Sequence, residues 1–292
     1  MTISTVDVPE PFADIFRRAE EYARQYFGAL KQRPECGTIE ISGERYILIR
    51  AAAMSVEFTD LLIGLYSEGS ESEGCQLAAN LLFDLGHAFG KSDARHFHAY
   101  MGITDPVERL SIGPVQFAFA GWASVKIDAS SRVMANENYY LLYDHPFSFE
   151  ADSWMRRQRQ AAQPVCAMNA GYSSGWCEES FGVPLSAVEI MCRAAGQAAC
   201  RFIMAPPWRL DEHVGHYRKS VAMADVSVPD ARIPEFFQRK RLEDKIRRNQ
   251  RHIELLLNQR ADRDLLLAQK DQQIAALQAQ LYAAQQPRPT KL

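Results

Sequence analysis

Residues 187–205, AVEIMCRAAGQAACRFIMA, decide the reading of the fold. Two apolar runs, AVEIMCRA and ACRFIMA, lie on either side of Gly196, and a glycine between such runs is a hairpin turn signal. Two antiparallel strands are expected, with Ala205-Pro206-Pro207 ending the second. Cys192 and Cys200 flank the turn, so two thiols can approach one ion. Cys166 and Cys177 lie on the preceding segment, and Glu189 stands three residues before Cys192. Three thiolates and a carboxylate around a tetrahedral centre suit zinc, and a site with every position filled is structural rather than catalytic. Residues three apart on a regular strand point to opposite faces. Glu189 and Cys192 can therefore share an ion only if the strand ends or bulges between them.

Working outward, Pro164–Gly182 contains GYSSGWC and reads as a helix whose small residues allow close packing. Ser148–Gln163 has helical character and carries Trp154. NYYLLYDH reads as a strand, and so does VQFAFAGWASVKI, which is rich in aromatic and β-branched residues. Towards the N-terminus, Glu10–Leu30 has apolar residues at helical spacing. TIEIS and RYILIRA around Gly43-Glu44 suggest a second hairpin. Two or three helices follow, over Glu57–Tyr66, Glu73–Gly90 and Ser92–Met101, with Gly102 and Pro106 closing the block. The fold class is α+β: mixed helices packed on an antiparallel sheet, zinc-stabilised, followed by a long C-terminal coiled-coil helix.

The chain has 292 residues, 47% hydrophobic and 24% charged, with a net charge of −3. That composition is globular, and the charge gives no overall attraction to nucleic acid or anionic membrane. No apolar run approaches the ~18 residues of a membrane span, and MTISTVDVPEPFADIF lacks the basic and apolar regions of a signal peptide. A cytoplasmic location is expected, where the six cysteines are not a disulfide framework.

Beyond Pro234, positions alternately three and four apart read Leu242, Ile246, Asn249, Ile253, Leu256, Arg260, Arg263, Leu267, Lys270, Ile274, Leu277 and Leu281. This is a coiled-coil seam, with Ile or Leu at a and Leu at d favouring a parallel pair. Asn249 can fix the alignment, whereas Arg260, Arg263 and Lys270 soften the middle. A helix from Pro234 to Tyr282 would reach roughly 70 Å. A homodimer through this coil is expected.

The stretch DLGHAFGKSDARHFHAYMGITDPVERLSIGPVQF, with FEAD, CAMNAGYSSGW and VEIMCRAAGQAAC, resembles the sensor module of bacterial aromatic-catabolism activators. These are phenol- and xylene-responsive transcription regulators whose sensor joins an activator segment to a vinyl-4-reductase-type domain. The resemblance covers about Pro9 to Leu210. It implies a zinc held by Cys166, Glu189, Cys192 and Cys200, which leaves Cys177 as a buried thiol at the pocket wall. It also implies a hydrophobic pocket for an aromatic effector. Phenol-sensing members hold the hydroxyl with a His and a Trp, and this chain has Phe117 and His145 at those places. A Phe cannot hydrogen-bond a phenol oxygen, so a small aromatic or hydrocarbon-like ligand is expected in place of phenol. Val115, Phe119, Trp122 and Tyr143 are the other candidate lining residues. His87, His96 and His98 are read as surface or core histidines.

The expected order is an activator or dimerisation segment over 1–110, a ligand-binding zinc domain over 111–210, a linker over 211–234 and a coiled coil over 235–285. The sequence has no phosphate-loop motif, nucleotide-binding glycine motif or nucleophile with a placed base. The expectation is a sensor, not an enzyme, that signals to an output domain or protein partner without itself binding nucleic acid or membrane. A structural adaptor, or a tetrapyrrole-related reductase accessory protein, is the alternative.

Overall fold

The computed structural model describes residues 4–66 and 71–222, and beyond these positions 249, 252–253, 255–260, 263 and 266–279. The chain divides into two units, Met1–Phe237 and Gln238–Leu292.

The first unit opens with strand β1 (Val6–Asp7) and helix α1 (Ala13–Gly28). Phe16, Ala19, Ala23 and Tyr26 fall on one face of α1 and are buried, which is the spacing an amphipathic helix needs. Strands β2 (Lys31–Arg33), β3 (Thr38–Ile41) and β4 (Glu44–Tyr46) form a small antiparallel sheet. The expected hairpin is present but short. Ile47, Leu48 and Ile49 leave the sheet and are exposed.

Helices α2 (Val56–Tyr66) and α3 (Glu71–Met101) follow. The two segments expected over Glu73–Gly90 and Ser92–Met101 are one helix of 31 residues. Gly90 does not break α3 because it packs against another backbone. A Cβ there would lie 2.1 Å from the carbonyl oxygen of Tyr172, and one at Gly86 2.2 Å from that of Met168. Tyr172 and Met168 belong to α6, described below, whose Gly171 and Gly175 lie equally close to α3. Four glycines thus let the two helices touch backbone to backbone.

Helix α4 (Pro106–Phe119) corrects the strand expected over Val115–Phe119. The Asp105 side chain accepts the amides of Val107 and Glu108 at 2.9 Å, and Pro106 occupies the first turn. That is a helix start, not the end of the preceding block. Pro114 sits inside α4, where it costs a backbone hydrogen bond that packing must offset. Only Val125–Ile127, strand β5, keeps the expected extended form.

Strand β6 (Leu141–His145), helix α5 (Phe149–Arg156) and helix α6 (Ala167–Phe181) come next. Strands β7 (Ser186–Met191) and β8 (Cys200–Ala205) form the expected hairpin, with Gly196 at φ 89° in the turn. The main sheet has the order β1-β5-β6-β8-β7, and all pairs but β1–β5 are antiparallel. Leu141, Tyr143, Phe202 and Met204 join the main core, together with residues of α4 and α6. On the opposite face, Leu142, Val188, Ile190 and Ile203 pack with Leu210 and Val214 of a last helix, α7 (Leu210–Ala222). Burial on both faces explains why these strands read as continuous apolar runs.

Two expected boundaries are corrected. The division at 110/111 falls inside α4, and α7 occupies the first half of the segment expected to be a linker over 211–234. The remainder of that linker, and Leu242, Ile246 and Leu281 of the seam, lie outside the described residues. In the second unit every described position is helical. Ile253, Leu256, Leu267, Ile274 and Leu277 of the seam are all exposed in the single chain.

Candidate functional site: a cysteine–glutamate cluster beside an aromatic cavity

Cys166, Glu189, Cys192 and Cys200 are all buried, and their ligand atoms lie within 4.8 Å of one another. The register of β7 against β8 shifts between Glu189 and Met191. This bulge turns Glu189 to the same side as Cys192, which a regular strand would forbid. Cys166 arrives from the N-cap position of α6, and its amide donates to one carboxylate oxygen of Glu189 at 2.7 Å. The other carboxylate oxygen of Glu189 is buried without a partner. The sulfurs of Cys166 and Cys200 are 3.8 Å apart, about the edge of a tetrahedron with metal–sulfur bonds near 2.3 Å.

The electrostatics of the cluster fit a cation. Burial pushes the Cys166 thiol and the Glu189 carboxyl well above their ordinary ranges. Cys200 is held low instead, by thiol hydrogen bonds from Cys166 and Cys192 and by the Arg193 amide. One thiolate among protonated neighbours is the resting state of such a set. A divalent cation would remove the remaining protons, because thiolates and carboxylates are the ligating forms. The cluster could therefore hold a metal. Cys177 stands apart, buried on α6.

Glu150 supports the cluster from α5. Its two carboxylate oxygens accept the amides of Met168 and Asn169, at 3.0 and 2.8 Å, in the first turn of α6. Burial pushes its carboxyl up to about 8, against the pull of those two amides. The sequence reading noted FEAD only as part of a motif. An acid followed, after a loop, by a helix without a capping side chain of its own was the available signal.

Further along α6 lies a small cavity of about 30 Å³. Leu110 and Phe117 of α4, Tyr143 of β6, and Tyr172, Trp176 and Cys177 of α6 line most of it. Of the six expected lining residues, Phe117 and Tyr143 face this space. His145 stands behind them, its ring 5.8 Å from Phe117 and 5.3 Å from Tyr143. It is fully buried, neither ring nitrogen has a partner, and burial lowers its pKa to about 3. Trp122 stacks on Phe117 and faces an outer cleft. Phe119 stacks on Phe27 of α1, on another side of α4. Val115 is buried in the core away from the cavity. Treating this stretch as a strand put alternate residues on one face, whereas the helix turns Phe117 inward and Phe119 away. Leu110, Tyr172 and Trp176 were not picked out individually, although 3.6-residue spacing along α4 and α6 would have grouped them.

The three histidines of α3 form no cluster. His87 lies by Glu178, His96 by the Tyr26 hydroxyl, and His98 by the Arg109 carbonyl. Burial lowers His98 to about 4.

The fold and cluster define an α+β ligand-domain class with a buried acid–thiol centre. Within that class, residues 27–131 match the family model described as activator of aromatic catabolism, and residues 147–206 match that of the vinyl-4-reductase-type domain. The two in this order make the chain a sensor module of the aromatic-catabolism activator type. The crystal structure of the phenol-responsive sensory domain of the transcription activator PoxR, with phenol, shares the fold: TM-score 0.55 and 21% identity, covering 72% of this chain and 98% of that one. A vinyl-4-reductase family protein from Methanocaldococcus jannaschii also matches, at a TM-score of 0.31 and 17% identity, covering 67% of this chain and 94% of that one. No curated protein matches the chain. Among the described residues no helix is long and apolar enough to cross a membrane.

Proposed function

We propose that this protein is a cytoplasmic sensor for a small aromatic or other apolar molecule, held together by zinc and signalling through a dimeric coiled coil to an output domain or partner. The observation that carries the reading is the aromatic-lined cavity built on the same helix, α6, as the first ligand of the cysteine–glutamate cluster. Three thiolates and one carboxylate through Cys166, Glu189, Cys192 and Cys200 suit zinc in a closed structural site. Occupancy of the cavity would bear on α6 and α4, and zinc would keep the base of α6 fixed. The exposed seam of the C-terminal unit supports a second chain, since Ile253, Leu256 and Leu277 need cover.

Phe117 stands where phenol-sensing relatives carry a His, so apolar contact supplies the affinity, at roughly 25 cal/mol per Å² buried. A cavity that admits benzene measures about 150 Å³, well above the present 30 Å³. A ligand must therefore displace a side chain, and Phe117, which touches only other rings and apolar neighbours, is the one to swing. The same small volume favours the second reading, a scaffold whose domain senses nothing. Thermal melting with toluene and related small aromatics separates the two. A ligand that binds only the folded state raises Tm by mass action. No shift with any of them up to the solubility limit leaves the scaffold. Dimerisation is tested on a peptide covering Arg241–Leu281: a parallel dimer is expected, and a monomeric, unfolded peptide at high micromolar concentration ends the coil assignment.

A further inference from the structure

The cavity beside α6 is apolar at all but one pole. There the hydroxyl of Tyr143 is buried and has no hydrogen-bond partner. A buried hydroxyl left unpaired costs roughly 1–3 kcal/mol, and a native core seldom keeps one without reason. Tyr143 points to the cavity because it alternates with Leu142, which faces α7. Its ring is held by stacking on Phe202, 5.1 Å away at 13°. The hydroxyl therefore has a fixed direction. Ser173 of α6 lines the same cavity and brings a second hydroxyl to this pole. Burial pushes the Tyr143 pKa up, with Ser173 acting the other way, so the phenol stays protonated and is a donor at any working pH. No carboxylate, lysine or arginine lines the space.

We infer that Tyr143, assisted by Ser173, is the polar anchor of the pocket, and that it selects aromatic molecules carrying one neutral hydrogen-bond acceptor, such as an aryl ketone, aldehyde or ester. A carbonyl oxygen has two lone pairs and no proton, so it can accept from both hydroxyls and leaves nothing of its own unpaired. A hydrocarbon of the same shape leaves Tyr143 unpaired. A carboxylate would enter a site without a positive charge and is excluded by desolvation. This assignment rests on the sensor reading and narrows its ligand class.

The test is a double-mutant cycle between protein and ligand. Acetophenone and ethylbenzene have nearly the same shape, and Tyr143→Phe removes only the hydroxyl. Affinities are measured by titration calorimetry on the full chain, after melting curves show that Tyr143→Phe is folded. Loss of an unpaired buried hydroxyl should leave Tm equal or higher. Tyr143→Phe should weaken acetophenone about tenfold and leave ethylbenzene within about twofold. Ser173→Ala should weaken acetophenone by a smaller factor in the same direction. If both ligands change by the same factor, or neither changes, Tyr143 is not the anchor and the assignment falls while the sensor reading stands. If neither ligand binds the unsubstituted chain, the sensor reading fails, and the assignment with it.

Discussion

The cysteine–glutamate cluster and the aromatic cavity share α6 but are built in different ways. Backbone geometry sets the cluster. A hairpin turn at Gly196, a bulge between Glu189 and Met191 and the first turn of α6 bring four ligand atoms within 4.8 Å. Side chains set the cavity, by the rotamers of Phe117, Tyr143, Tyr172 and Trp176 on three elements. Backbone-built sites are rigid and suit a bond-length-sensitive ion. Side-chain-built cavities can open by rotation and suit a ligand that must enter. Each keeps one buried acceptor or donor free, Glu189 in the first and Tyr143 in the second.

The largest effect expected from this division is at the cluster. Cys200→Ser should abolish metal binding and with it a folding contribution on the order of 10 kcal/mol, seen as insoluble protein or a steep fall in Tm. Cys177→Ser, in the cavity wall, should cost about 1 kcal/mol or less. Metal analysis and melting of both variants compare the two regions directly, and equal losses would erase the distinction.

At the cavity the effect is smaller and falls on selectivity. Phe117→His puts a hydrogen-bonding group where the phenol-sensing relatives have one. The ratio of phenol to toluene affinity should rise about tenfold, with metal content unchanged. An unchanged ratio would mean that Phe117 does not reach the ligand.

The smallest effect concerns Glu150, which caps the helix both regions share. Its pKa of about 8 lies above the ordinary carboxyl value of 4.5. The folded state thus holds the proton more tightly than the unfolded state. The stability this contributes is complete below about pH 4.5 and is lost as the pH rises through about 8. Glu150→Gln should flatten the fall of Tm between about pH 5 and 9 while changing Tm little at about pH 5. A slope equal to that of the unsubstituted chain would show that the two amides of α6 hold the carboxylate ionised.

The same division explains what was legible in the sequence. The hairpin around Gly196 and the need for a bulge before Cys192 follow from local rules, since turn chemistry and two-residue alternation act over a few positions. The selection of Cys166 over Cys177 did not follow from spacing and came from the resemblance. Helix α4 was misread because Val115–Phe119 carries aromatic and β-branched residues in a strand-like alternation. Asp105 and Pro106 cap a helix there, and packing against α1 and α6 outweighs the local preference. The start of α7 was missed beside Pro206-Pro207, although Leu210, Val214 and Tyr217 carry helical spacing towards the sheet. The close approach of α3 and α6 was hinted at by the small residues of GYSSGW, but its partners, Gly86 and Gly90, lie far earlier in the chain. No local pattern links positions so far apart.

The central claim is that this cavity takes up a small aromatic molecule, and titration calorimetry of toluene into the metal-loaded chain at several temperatures tests it most directly. The account predicts saturable binding of one molecule per chain with a negative heat-capacity change, the mark of apolar burial. No heat at any temperature, together with no change in melting up to the solubility limit, would contradict it.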